Sequence, residues 1–274
     1  MKKLNILAVP ITVLILNWFF YTLNDSFKVN KTPVINNDLE EYVIGVVGCE
    51  MPALYNEEAL KAQSIISRTY ALYVGDYKND SGQCYLTIEE LKNKWGKDYD
   101  LYYNKIKDIV YDTSSLVIKR DNKLLKTYYF STSNGYTLDS LSVFNDDTTV
   151  SVESLFDKES KNYYKETIIY KDDLINIFGN FNNIIIKERD NTHHVNIVCI
   201  DNNCISGIEF RKKLNLRSTD FDIKVNNNEY TFITYGYGHG VGLSQSGANY
   251  LANNGYSYID ILNYYYKDIK ISNY

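Results

Sequence analysis

The stretch EEYVIGVVGCEMPALYNEEALKAQSIISRTYAL, residues 40–72, decides how this chain is read. It holds two helical patterns separated by a break. Asp38 is placed to cap the first, with Glu41 three residues on. Leu39, Tyr42, Val43, Val46 and Val47 recur at i, i+3, i+4, i+7 and i+8, which is one face of a helix. Gly48 is a natural stop, and Cys49-Glu50-Met51-Pro52 falls at the break. Asn56 can cap the second helix, whose first turn carries Glu57 and Glu58 where the helix dipole favours anions. That helix is expected to run to about Gly75 and to bury Ala62, Ile65, Ile66, Thr69 and Tyr73. Lys61 and Arg68, seven residues apart, share one face about two turns apart.

Working outward, residues 76–104 are polar, with a short helix expected near Ile88 to Asn93. From Leu116 the period changes to that of strands. Leu116 to Lys119, a turn at Asp121–Asn122, and Leu124 to Phe130 read as a hairpin, and Ser131-Thr-Ser-Asn-Gly-Tyr136 as a polar loop at its end. Further strands are expected at 183–188 and 194–200. Ser206 and Glu209 form a capping box for a helix to about Leu214. Phe221 to Val225 and Tyr230 to Tyr235 form another hairpin. The glycine-rich run GYGHGVGLSQSG, residues 236–247, precedes a helix stopped by Gly255, and Ser257 with Asp260 caps a last helix. Helix pairs alternating with antiparallel hairpins predict an α+β fold rather than a doubly wound sheet. No internal repeat is present.

The 274 residues fit one hydrophobic segment and one compact body, or a body of two small lobes. Hydrophobic residues make up 45%, enough for a sizeable core. A formal net charge of −5 argues against nucleic acid as a partner. The 27 tyrosines suit stacking on sugars, but a biased genome composition accounts for them equally well. Lys2 and Lys3 precede an apolar stretch, Leu4 to Leu23, which as a helix would span about 30 Å, the thickness of a bilayer core. Lysines before it and Asp25 after it favour a cytoplasmic N-terminus and an external body. With no A-x-A-like site following, an uncleaved transmembrane anchor is expected, although Asn5, Pro10 and Asn17 make it an imperfect span. The expected organisation is an anchor over 1–23, a polar linker over 24–37 and one body over 38–274.

Two residues stand out for chemistry. Glu50, between an apolar helix and Met51-Pro52, is set where partial dryness raises a carboxyl pKa and makes it a proton donor. His239, flanked by glycines, sits where backbone approaches closely and little bulk shields the ring. Cys49 beside Glu50 reads more readily as a small buried residue than as a nucleophile paired with His239. Cys199 and Cys204 flank a turn and can meet across a hairpin, as a disulfide or a reduced pair. A zinc site from these two and His193-His194 is disfavoured, because neighbouring strand residues point to opposite faces. G-x-S-x-G, H-E-x-x-H and P-loop patterns are absent from the sequence.

Three stretches together resemble the stage II sporulation protein D family, whose relatives include the amidase enhancers. They are residues 40–72, YYFSTSNGYT at 128–137, and TYGYGHGVGLSQSGANYLANNGYSYIDILNYYY at 234–266. Their order and spacing match as well, and the likeness covers nearly everything from residue 38 onward. The resemblance implies a lytic transglycosylase that cuts peptidoglycan strands, with Glu50, the Glu of E-M-P, as its catalytic carboxylate. It implies substrate-binding roles for Lys61, Arg68, Ser131, Ser133, Tyr136, Tyr237, His239, Ser244 and Gln245. The alternative it leaves is a non-catalytic wall-binding or amidase-stimulating protein.

The resemblance also implies a setting. Family members act in endospore engulfment, anchored in the mother-cell membrane and facing the septal wall. Their substrate is peptidoglycan glycan strands stripped of stem peptides, and their implied partners are stage II sporulation proteins P and M. Some relatives hold a structural zinc through His and Cys residues after the R-T-Y-A helix. Here residues 74–100 contain Cys84 and no histidine, so no metal and no cofactor are expected.

Overall fold

The structure, a computed structural model, describes residues 37–80 and 82–274. The expected anchor and all of the expected linker but Asn37 lie outside the described residues. Among those described, no helix is long and apolar enough to cross a membrane.

The chain starts with α1 (Asn37–Glu50) and α2 (Glu57–Val74), followed by α3 (Tyr77–Asp80), α4 (Ile88–Trp95) and α5 (Tyr99–Asp112). The α1 helix continues through Gly48 to Glu50 instead of stopping there. The missing side chain lets α4 pack close, since a Cβ at Gly48 would stand 2.8 Å from Leu91 Cδ2. Asn56 caps α2 as expected, accepting from the Glu58 amide at 3.0 Å, and Gly75 ends the helix. Leu60, Ile65 and Ile66 are wholly buried, each worth roughly 1.5–3 kcal/mol of removed apolar surface. Tyr73, expected in this stripe, is 48% exposed instead, because it falls in the last turn beyond the packed neighbours.

Strands β1 (Leu116–Arg120) and β2 (Lys123–Leu124) form the expected hairpin, with Asp121 and Asn122 at positive φ in its turn. The second strand is much shorter than its pattern suggests. The chain leaves the hairpin at Leu125 and forms β3 (Tyr129–Phe130) in a different sheet, and α6 (Ser140–Phe144) follows.

A second lobe then begins with β4 (Tyr164–Tyr170) and α7 (Lys171–Phe178). It continues through β5 (Ile184–Arg189), β6 (Val195–Ile200), β7 (Asn203–Ser206), α8 (Gly207–Lys213), β8 (Phe221–Asn226) and β9 (Glu229–Tyr235). Two antiparallel sheets, ordered β4-β9-β8 and β5-β6-β7, enclose a core of Leu174, Val198, Phe210, Phe221 and Phe232. The Phe210 ring stacks on both Phe178 and Phe221. Cys199 and Cys204 face each other across β6 and β7 and are joined by a disulfide, which settles the choice left open between an oxidised and a reduced pair. His193 lies at positive φ in a turn rather than on a strand, and His194 is buried beside Asp190. The lobe enters and leaves the chain side by side, with Tyr164 paired to Tyr235 and the Gly236 amide donating to the Tyr163 carbonyl at 2.6 Å.

The chain then returns to the first lobe through β10 (Leu243–Ser244), α9 (Gln245–Asn253), α10 (Tyr258–Tyr265) and β11 (Lys270–Asn273). Here β10 pairs in parallel with β3, and β11 pairs antiparallel with β1. Helices α9 and α10 close the core around α2, with Ala248, Ile261, Leu262 and Tyr265 buried. The result is the mixed helix and antiparallel-sheet body of an α+β protein.

Candidate active site

Glu50 is the last residue of α1, where the helix breaks at Met51-Pro52. It is half-buried in the wall of a cleft of about 560 Å³. The cleft is built from the α1–α2 break, β3, the glycine-rich loop and the start of α9. A smaller recess of about 240 Å³ shares Glu50, Tyr129 and His239 with it and extends toward Gln83 and Thr127. Among the described residues lining the cleft and the recess, Glu50 is the only carboxylate. A hollow of about 640 Å³ at the start of α1 also contains carboxylates, but Asp38 there is paired with Lys78 and both it and Glu41 are exposed to water.

The parallel pair β3–β10 joins the two distant sequence blocks. It sets Tyr129 beside Leu243, so the Tyr129 hydroxyl donates to Glu50 Oε1 at 3.1 Å. The Cys84 amide donates to the same oxygen at 2.9 Å. Burial pushes the Glu50 carboxyl above the ordinary carboxylate range, while the Cys84 amide, the Tyr129 hydroxyl, the Gln245 side chain and the Lys94 charge pull it back. Such a group gives up its proton at higher pH than a solvated carboxyl does and still has donors waiting for its charged form. Tyr129 itself is driven well above its usual pKa by burial and by the Glu50 charge, so it remains a donor. Lys94 caps the carboxyl end of α1, donating to the Gly48 and Cys49 carbonyls at 2.8 and 3.0 Å.

His239 is packed among Tyr128, Phe130 and Phe144, with ring centres 5.1–6.2 Å away. Its Nδ1 accepts from the Val241 amide at 3.1 Å, which puts the proton of the neutral ring on Nε2. Burial and the Arg211 charge lower its pKa to about 4, against a hydrogen bond to the Tyr129 backbone. Gly238 and Gly242 make this packing possible. Both have positive φ, and a Cβ at Gly238 would stand 2.6 Å from Phe130 Cβ while one at Gly242 would run into the Tyr128 carbonyl. Tyr237 is 43% exposed at the rim, with the Arg217 guanidinium 4.8 Å from its ring centre.

Glu50, Ser131, Tyr237, His239 and Gln245 thus line one cleft. The other residues singled out in the sequence lie elsewhere. Arg68 is wholly buried and forks onto Glu40, with Nη2 at 2.6 Å and Nε at 2.9 Å from its two oxygens, and it also donates to the Leu116 and Val110 carbonyls. No ligand reaches it, so it holds the core together. Lys61 pairs with Glu58 and Asp112 at 3.0 and 3.2 Å in a separate depression. The two do share a face of α2, but that face looks toward α5.

Ser133 and Ser244 are buried and meet at Asp157, whose Oδ2 accepts from the Ser133 amide at 2.8 Å and from Ser244 Oγ at 2.6 Å. They tie the two loops together behind the cleft. The Tyr136 amide donates to Asn134 Oδ1 at 3.1 Å, and Tyr136 bridges to Glu153, outside the cleft lining. The sequence reading missed Tyr129, Lys94, Asn162 and the Cys84 amide at the site, and Asp157 behind it. Tyr129 carried a usable signal, because it stands two residues before Ser131 and strand alternation puts both on one side. Cys49 is disulfide-bonded to Cys84, so it offers neither a thiolate nucleophile nor a small buried thiol.

Among the described residues, no group of three or more His, Cys, Asp or Glu side chains is placed to hold a metal ion. Fold and site together define an α+β protein with one half-buried carboxyl among the described residues of an open, aromatic-walled cleft. Residues 28–119 match the family described as "Stage II sporulation protein". The chain is 35% identical to stage II sporulation protein D of Bacillus amyloliquefaciens over 266 residues, covering 90% of this chain and 77% of that protein. It is also 35% identical to the stage II sporulation protein D of Bacillus subtilis (strain 168), with 90% and 78% covered. Likeness to the amidase enhancer of Bacillus subtilis is lower, 26% over 292 residues and 40% of that protein. The chain belongs to the stage II sporulation protein D family.

Proposed function

We propose that this protein is a peptidoglycan lytic transglycosylase in which Glu50 acts first as acid and then as base. The observation that carries the reading is that Glu50 is the single carboxylate among the described residues lining the cleft. Hydrolytic glycosidases usually pair two carboxyl groups across the scissile bond, one of them serving water or the sugar. Forming an intramolecular anhydro ring needs only one. Glu50 gives its proton to the β-1,4 oxygen between N-acetylmuramic acid and N-acetylglucosamine, and that bond breaks as positive charge develops at the muramic C1. The carboxylate left behind is stabilised by the Cys84 amide, Tyr129 and Gln245. It then takes the proton of the muramic C6 hydroxyl, whose oxygen closes on C1, giving a 1,6-anhydro end and regenerating the acid. Tyr237 offers an exposed ring for a sugar face, and the His239 ring stands beside it in the cleft wall.

In this reading residues 4–23 anchor the chain, with the N-terminus in the cytoplasm and the body outside, in the mother-cell membrane facing the septal wall. The substrate is peptide-stripped glycan during engulfment, and stage II sporulation proteins P and M are the partners. The test is mass spectrometry of stripped strands treated with the purified protein and with Glu50→Gln. Anhydro-muramyl ends from the first and none from the second are expected. Reducing ends would mean hydrolysis. No products from either, with strand binding retained, would favour the non-catalytic wall-binding or amidase-stimulating role that the amidase-enhancer likeness suggests.

A further inference from the structure

Cys49 and Cys84 are joined by a disulfide that closes a 35-residue separation, and each abuts the same carboxyl. Cys49 is the residue before Glu50 in α1, and Cys84 supplies the amide that donates to Glu50 Oε1 at 2.9 Å. We infer that this disulfide is a positioning device for Glu50, holding the Cys84 amide on the carboxylate and so setting the acid's strength, and that a dithiol which opens it detunes the site.

The case rests on what else holds the donor. Residues 82–86 contain no helix or strand and are mostly exposed. Their other ties include the Leu86 amide on the Gly45 carbonyl at 3.3 Å, the Gln83 side chain on Tyr42, Ser67 and Tyr129 at 3.1–3.3 Å, and Tyr85 stacked on Tyr42. None of these fixes the Cys84 amide itself. Because the donor is main chain, no side chain at residue 84 can supply or remove it, and only the position of the segment decides whether it acts. The disulfide fixes that position relative to the acceptor's own neighbour, with the two Cα atoms 5.7 Å apart. An amide donated to a carboxylate is a charge-assisted bond, and its value to a reacting acid depends on its being in place beforehand. Cys84 is exposed, so a small dithiol reaches the bond. Dithiothreitol delivers two electrons and two protons to the sulfurs, leaving two thiols and its own cyclic disulfide. The other groups facing Glu50 are Tyr129 from β3, Gln245 from α9, Lys94 from α4 and His239 from the glycine-rich loop, and reduction alters none of them chemically.

The inference rests on Glu50 being the acid of the proposed reaction, so the test reads Glu50 directly. The full chain in detergent is labelled with ¹³C-carboxyl glutamate and titrated by NMR, with the Glu50 signal assigned by its loss in Glu50→Gln. Losing a donor to the charged form raises a carboxyl pKa. Dithiothreitol is therefore expected to move the Glu50 midpoint up by about half a unit to one unit. Cys49→Ser/Cys84→Ser should show the raised midpoint without reductant, and Cys199→Ser/Cys204→Ser should still respond to it. In strand cleavage the alkaline limb should move up by the same amount while the maximal rate falls several-fold, whereas a merely structural loss would lower the rate and leave the limb in place. Should the double serine variant fail to fold, reduction of the native chain decides. An unmoved midpoint overturns the inference, as does peptide mapping that finds both thiols free. A downward shift overturns it too, by showing that the segment excludes water rather than donates. A raised midpoint in a protein that cleaves nothing would sink the transglycosylase reading and leave the disulfide's hold on Glu50 standing.

Discussion

The two lobes keep their interiors by different means. The first encloses, within its apolar cluster, a charge pair, Arg68 on Glu40, with both side chains wholly buried. The second is filled by phenylalanines stacked on one another. A buried ion pair is no gain in stability over apolar packing, but it is directional, and breaking it strands a charge. It also ties together α1, α2, the end of α5 and β1 at one point. Glu50 stands at the end of that same α1. The lobe that carries Glu50 thus sets a directional contact within its apolar core, whereas aromatic stacking fills the other.

Five measurements sharpen or break this contrast. Glu50→Gln should lower strand cleavage by about 10³-fold while leaving the unfolding midpoint nearly unchanged. A second-lobe core substitution with an equal effect on turnover would break the comparison. Arg68→Ala should cost roughly 3–5 kcal/mol in chemical denaturation, since it leaves Glu40 buried and unpaired. Phe232→Leu, at an equally buried site, should cost only about 1–2 kcal/mol, because its neighbours close on the smaller side chain.

The fourth measurement is the pH dependence of stability. With its pKa lowered to about 4, His239 stays neutral in the folded protein while the unfolded chain takes up a proton near pH 6.5. Its contribution is present above that pH and is lost as pH falls toward 4. The unfolding temperature should therefore drop across this window, and less steeply in His239→Gln. Asp220, at the edge of the second lobe, is raised by burial to about 6 and has the opposite slope, stabilising less as pH rises from about 4 to 6. Asp220→Asn should therefore steepen the same curve. The smallest effect belongs to Lys61→Ala, whose partly exposed ion pairs are worth about 0.5 kcal/mol.

Much of the fold was legible because it is written locally. The Asn56 cap, the Ser206 and Ser257 caps and the β8–β9 hairpin all depend on residues within a few positions of one another, and the structure has them. What escaped depends on distant partners. Strand β4 pairs with β9 some 65 residues later, and β3 abandons its hairpin for β10 more than 110 residues away. Helix α5, YDLYYNKIKDIVYD, buries only Ile106, Ile109 and Val110, too narrow a stripe to stand out among its tyrosines. The same limit shaped the site reading. Spacing placed Lys61 and Arg68 on one face correctly, but spacing gives an angle around a helix and not the neighbour it meets. Ser133 and Ser244 were singled out from their motifs, while their shared acceptor, Asp157, lies in a stretch with no pattern of its own.

The loop from Gly236 to Gly242 bears on how such a sequence can change over generations. At Gly238 and Gly242 the backbone angle and the nearest atoms both forbid a side chain, and at Gly242 the obstacle is main chain that no neighbouring substitution can shrink. Variation along this run is therefore confined to the alternate positions, 237, 239 and 241. Whatever the cleft receives, a lineage can retune this run only by exchanging those side chains, one at a time, on a backbone that does not drift.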